Sequence, residues 1–174
     1  LKVVMTMFLT LPGIPLIYYG DEIGMKYLPG ITPKEGSRDR AGTRTPMQWE
    51  NNPTAGFSTA AVEDLYFPVD TENGRITVEK QKDDPTSLLN YVKRLLSLRR
   101  EYSALGNLGD WEYVGDVDKP YPMLYKRTDG KEVFFVALNP GGSKVSASID
   151  VGSGKLEVVE VTGSAKFTKT KKGD

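Results

Sequence analysis

The stretch from Leu1 to Tyr19 constrains the fold more than any other part of the chain. Leu1 to Leu11 are apolar apart from Lys2, Thr6 and Thr10, which recur every four residues and so fall on one narrow stripe of a helix. A helix of that kind has to be covered on most of its sides. Pro12-Gly13 break it. Ile14 to Tyr19 then form a continuous apolar run, the pattern of a parallel strand buried on both faces. Helix, short turn and buried strand together predict one repeat of a β/α barrel. A whole barrel of that kind takes about 250 residues, and this chain has 174, so only part of one is expected. No capping residue or initiator methionine precedes Leu1, and Thr168 to Asp174 read as a turn leading toward another strand. A piece cut at both ends is the expectation.

From Met25 to about Pro85 the chain is rich in Gly, Pro, Asn and Asp. Loops of this length are functional or disordered. Pro46, Met47, Trp49, Phe57, Tyr66 and Phe67 give it apolar anchors, which predicts an ordered loop packed on a scaffold. Asp84-Pro85 supply an N-cap and a first-turn proline for a helix running to about Leu105. Leu88, Tyr91, Val92, Leu95, Leu96, Leu98 and Tyr102 share one of its faces. Arg99 projects from the middle of that face. Either a carboxylate or carbonyl groups pair with its guanidinium, or its stem snorkels past the edge of the core.

Beyond Gly106 the apolar period changes from helical to two. Residues 111–114, 123–127, 133–138, 145–149 and 156–161 read as strands, with a hairpin turn at Asp129-Gly130 and a reversal at Asn139-Pro140-Gly141-Gly142. Five or more short antiparallel strands predict a small β-sandwich. The fold class is therefore α/β plus all-β: the last helix–strand–loop–helix of a (β/α)8 barrel over residues 1–105, with a long site-side loop over 25–85, then a truncated sandwich over 106–174.

The chain has no cysteine and no histidine, which removes thiolate chemistry and the commonest general base and metal ligand. Acid–base work would fall to carboxylates. No cofactor or metal is expected. Lys+Arg and Asp+Glu balance at 23 each, so net charge steers the chain toward neither nucleic acid nor an anionic membrane. No apolar run reaches the roughly 18 residues that span a bilayer. The lysines at 166, 169, 171 and 172 read as a solvated edge or loop.

Two motifs carry a family resemblance. Arg44-Thr45-Pro46-Met47-Gln48-Trp49, placed after Ile14-Pro15-Leu16-Ile17-Tyr18-Tyr19-Gly20-Asp21-Glu22-Ile23-Gly24-Met25, resembles the last β/α unit of the α-amylase superfamily, glycoside hydrolase family 13. Within it, the branch of α-glucosidases, oligo-1,6-glucosidases and trehalose synthases is the most similar. The likeness covers about residues 1–105 and is generic beyond them. It implies a parent enzyme that acts on α-linked gluco-oligosaccharides by a retaining double displacement. It also implies that the three catalytic carboxylates lie upstream of this chain, leaving the isolated piece inert and dependent on the missing N-terminal part.

Asp21 and Glu22 do not replace those carboxylates. Retaining glycosidases need two carboxyls about 5–5.5 Å apart across the scissile bond, and adjacent residues continuing a strand point to opposite sides. With Tyr19 they are expected to hold the loop and shape the pocket floor. Arg44 and, four residues earlier, Arg40 are the substrate-binding candidates, because a guanidinium offers five donors in a rigid fork. The alternative is that both merely pin the long loop. Where the family has Asp after the earlier Arg, this chain has Ala41, and Asp39 is the candidate to compensate. Trp49 and Phe57 are expected to be packing residues rather than sugar-stacking platforms. An amylase-like binding or transporter-associated module without catalysis is the alternative to the enzyme reading.

Overall fold

The computed structural model describes residues 1–152 and 154–168. Helix α1 (Lys2–Thr10) is followed by 3-10 turns at Arg38–Thr43 and Val62–Asp64, then by helices α2 (Val78–Lys82) and α3 (Leu88–Glu101). A 3-10 turn at Ser103–Leu105 leads to strands β1 (Asp110–Tyr113), β2 (Met123–Thr128) and β3 (Val133–Leu138).

The polar stripe of α1 is its inward face. Lys2 Nζ donates to the Thr86 carbonyl at 2.5 Å, the Thr6 and Tyr91 hydroxyls meet at 2.7 Å, and those of Thr10 and Tyr125 meet at 2.5 Å. Met5 and Leu9, beside the stripe, pack on Tyr91, Val92 and Leu95 of α3, with Ile17 and Leu88 at the margin. The opposite flank is apolar and uncovered: Leu1, Val4 and Phe8 are 75%, 54% and 37% exposed.

Residues 14–18 depart from expectation. They pair with no strand among the described residues, so the predicted buried strand is not formed. Ile14 and Leu16 are 86% and 82% exposed while Ile17 packs on the α1–α3 core. A strand's N–H and C=O groups need a neighbouring backbone, and the described residues place no strand beside them. Just before the segment, Gly13 N–H donates to the Asn107 carbonyl at 3.5 Å.

The 25–85 segment is largely irregular but holds one short helix, α2, which the sequence reading passed over. Thr77 caps it by accepting from Lys80 N–H at 3.2 Å. Its far end is clipped by Asn90 Nδ2, which donates to the carbonyls of Gln81, Lys82 and Asp84. Helix α3 starts later than expected. Its cap is Ser87, accepting from Asn90 N–H at 3.2 Å, whereas Asp84 is spent on a turn with Thr86. It also ends earlier, at Glu101, and Leu96 on its expected apolar face is 40% exposed. Arg99 takes the carbonyl option. It donates to Leu9 and Leu11 at 2.8 and 2.9 Å and to Gly13.

The β region is a three-stranded antiparallel sheet in the order β1-β2-β3, with Tyr125 opposite both Tyr113 and Val136. The turn between β2 and β3 is at Asp129-Gly130, as the dipeptide predicts, with Gly130 at φ +85°. No strand forms over 145–149 or over 156–161, so the five-stranded sandwich is corrected to three strands among the described residues. Val145, Leu156, Val158, Val159 and Val161 remain 41–49% exposed. Period-two patterning alone did not bring those segments beside a partner. Lys169, Lys171 and Lys172 of the basic tail lie outside the described residues.

Candidate functional site

The site grows from the turn that follows residues 14–18. Asp21 Oδ2 accepts from Tyr18 N–H at 3.2 Å, and Glu22 Oε2 accepts from Gly20 N–H at 2.7 Å. The backbone closes on itself through Asp21 N–H to Tyr18 O, Ile23 N–H to Gly20 O and Met25 N–H to Gly20 O. Both carboxylates are thus bound to their own turn.

Ile23, only 1% exposed, drops from this turn into a core with Met47 and Leu89, around which Met25, Ile76 and Val78 pack. The Arg44–Trp49 segment is anchored from the other side. Val78 and Glu79 N–H, which at the start of α2 have no intrahelical partner, donate to the Gln48 and Trp49 carbonyls at 2.9 Å each. Gln81 is the clip between the halves. Its Nε2 donates to Ile23 O at 2.7 Å and its Oε1 accepts from Leu89 N–H at 2.9 Å. The sequence did not single out Gln81 or Asn90, since a polar side chain flanked by lysines or on the polar face of a helix carries no signal of which carbonyls it reaches.

The turn and the motif meet at Tyr19, whose hydroxyl donates to the Thr45 carbonyl at 3.0 Å. Its ring lies 4.5 Å, centroid to centroid, from that of Tyr18. Partial burial, followed by the hydrogen bond and charge of Tyr18, pushes the Tyr19 phenol up to about 12; the neighbouring Arg44 guanidinium pulls the other way. Arg44 itself is half-buried, at the end of the 38–43 turn.

Arg40 lies apart. It is exposed, and no hydrogen bond or ion pair among the described residues joins it to Tyr19, Asp21 or Glu22. Asp39 does not compensate for the family's missing acid, because none of the ion pairs among the described residues involves Asp39, Arg40 or Arg44. Ala41 is 2% exposed. An ionised side chain there would be buried without a partner, which is costly. Next to it, Gly42 is held against the Tyr27 ring and the Leu28 carbonyl, leaving no room for a Cβ.

Two aromatic expectations are corrected. Trp49 and Phe57 are 47% and 54% exposed, and Tyr66 is 49% exposed, so the loop is anchored by Met47, Phe67 and Val69 instead. Apolar character did not reveal which rings face outward. Around the Tyr19–Thr45 contact lie the half-buried Arg44 guanidinium and the Tyr19 phenol, while the Trp49 and Phe57 rings stand partly open to solvent. Among the described residues no group of Asp or Glu side chains could hold a metal ion, and no helix is long and apolar enough to cross a membrane.

A family profile described as the catalytic domain of alpha amylase matches residues 1–107. A trehalose synthase/amylase, TreS, of Mycobacterium tuberculosis is 40% identical over 125 residues, which is 70% of this chain and 20% of that protein. The human amino acid transporter heavy chain SLC3A1 is 35% identical over 143 residues, 80% of this chain and 20% of that protein. Among solved structures, the trehalulose synthase MutB of Pseudomonas mesoacidophila superposes with a TM-score of 0.68 at 26% identity, covering 79% of this chain and 29% of that one. The chain spans about a fifth of the length of these curated relatives.

Proposed function

The chain belongs to the alpha-amylase family, and from that premise we propose that it supplies the site-side end of a retaining, α-glucosidase-like barrel acting on α-linked gluco-oligosaccharides. In this reading residues 1–105 are the last helix, strand position, rim loop and helix of the barrel, and 106–174 are the β domain that follows. Residues 14–18 take up strand pairing, and the uncovered flank of α1 its cover, from the upstream barrel units. The exposure of Ile14, Leu16, Val4 and Phe8 supports that packing.

One observation carries the proposal: the Tyr19–Glu22 turn and the Arg44–Trp49 segment, far apart in sequence, are fastened into one surface by the Tyr19–Thr45 hydrogen bond and the Ile23–Met47 core. Arg44 binds sugar hydroxyls from the rim, with Arg40 further out, while Tyr19, Asp21 and Glu22 shape the floor. The two carboxylates of a double displacement come from upstream units. Hydrolysis and transglycosylation share the glycosyl-enzyme intermediate, and differ in whether water reaches it before a sugar does.

The test is turnover of maltose, isomaltose and trehalose by the full-length protein, beside its Arg44→Ala variant. Hydrogen bonds to charged groups are worth about 1.5–3 kcal/mol. The variant should therefore lose roughly ten- to a hundredfold in kcat/KM. The likeness to the human transporter heavy chain favours a second reading, a non-catalytic module. No turnover of any of the three sugars would reject the enzyme and leave that module.

A further inference from the structure

Helix α1 has no basic residue in its last turn, yet its final carbonyls are held by two guanidinium groups from elsewhere. Arg99, on α3, donates to the carbonyls of Leu9, Leu11 and Gly13. Arg127, on β2, donates to those of Thr10, Gly106, Gly109 and Asp110. The two sets interleave along the chain: Leu9 to Arg99, Thr10 to Arg127, then Leu11 and Gly13 to Arg99. Arg127 is fully buried, and neither residue pairs with a carboxylate among the described residues. A buried cation persists only when its donors are satisfied. Here backbone carbonyls satisfy them, and two of these, Leu9 and Thr10, belong to the end of α1, where the dipole favours positive charge.

The consequence lies downstream. Pro12-Gly13 are where the backbone leaves α1, and Tyr19 is six residues beyond Gly13. We infer that Arg99 and Arg127 are positioning residues that fix the exit of residues 14–18 from α1, and through it the place where Tyr19 meets Thr45 and Arg44. The three-stranded sheet is then part of the framework of the site, through β2, and not an appendage. The sugar reading above enters this inference only through the activity measurement below.

The test is hydrogen exchange by mass spectrometry on the full-length protein and its Arg99→Met variant, with Arg127→Lys as the milder second substitution. Within residues 11–19 the hydrogen-bonded amides, those of Leu11, Gly13 and Tyr18, should exchange about tenfold faster, as expected from loss of roughly 1.4 kcal/mol of local protection. The β2–β3 hairpin should be unchanged. The Tyr19 phenol, isolated by difference against a Tyr19→Phe variant, should titrate closer to 10 than to about 12. In an Arg99→Ala variant, added ethylguanidinium should restore both readings and any lost kcat/KM. Unchanged exchange over 11–19, or uniform acceleration with the Tyr19 titration unmoved, overturns the inference. Altered exchange and titration in a protein that turns over no sugar would support the positioning role and reject the glycosidase reading alone.

Discussion

Gly42→Ala is the sharpest probe of the rim. A Cβ at this position would lie 2.1 Å from the Leu28 carbonyl oxygen and 2.6 Å from the Tyr27 ring. The ring can rotate, but the carbonyl is backbone, and the Leu28 N–H to Gly42 O hydrogen bond of 3.1 Å ties the same two strips of chain together. Forcing a methyl group into a packed contact costs about 1–3 kcal/mol. Losing or lengthening the hydrogen bond adds about 1 kcal/mol. The expected destabilisation is therefore about 2–4 kcal/mol if the fold holds its shape. If the segment yields instead, Arg44, two residues on, moves, and under the proposed sugar-binding role the loss appears in substrate affinity. Urea denaturation read beside the KM of the full-length protein separates the two outcomes. Gly142→Ala is the control, because nothing lies within 4 Å of its added Cβ and its φ is not in the left-handed range. That substitution should stay within about 0.5 kcal/mol. If Gly42→Ala matches the control in both stability and KM, the close packing of 27–28 on 41–44 is wrong, and so is the placing of Arg44.

Leu9→Ala should cost about 2–5 kcal/mol, since Leu9 is fully buried among Met5, Tyr91, Val92 and Leu95; a loss below about 1 kcal/mol in urea denaturation would mean that α1 and α3 are not packed as described. Asp129 supplies a pH signature. The Ser103 hydroxyl first, then the amides of Glu132 and Lys131, hold its carboxyl down at about 2. Because the folded value lies below the unfolded one, its contribution is present above pH about 4 and is lost as pH falls through about 2. Amide chemical shifts of the β2–β3 turn should titrate in that window and not in an Asp129→Asn variant; identical acid titrations in the two proteins would count against the Ser103 contact.

The parts of this fold that could be read from sequence are those whose causes are local. Asp129-Gly130 marked its hairpin because a turn's backbone demands are met by the two residues themselves. The irregular course of 25–85 followed from its Gly, Pro, Asn and Asp content. The misreadings share a different origin. Asp84 and Ser87 are both competent caps three residues apart, and what separates them is Asn90, whose amide clips α2 and whose backbone N–H turns to Ser87. Residues 14–19, 145–149 and 156–161 all have strand composition, yet a strand exists only where another backbone arrives to accept its hydrogen bonds. Trp49 and Phe57 are apolar enough for a core, but hydrophobicity does not say whether a ring's partner is protein or a ligand. The α1 stripe makes the point most directly. Three polar residues on an apolar helix would ordinarily mark its solvent side, but here Lys2, Thr6 and Thr10 each find a partner within this chain, and the apolar flank is left outside. A helix with its polar face turned inward is stable only if something apolar covers the rest. That same inversion, with residues 14–18 left without a strand partner among the described residues, is the physical ground for the proposal that further barrel units pack against this surface.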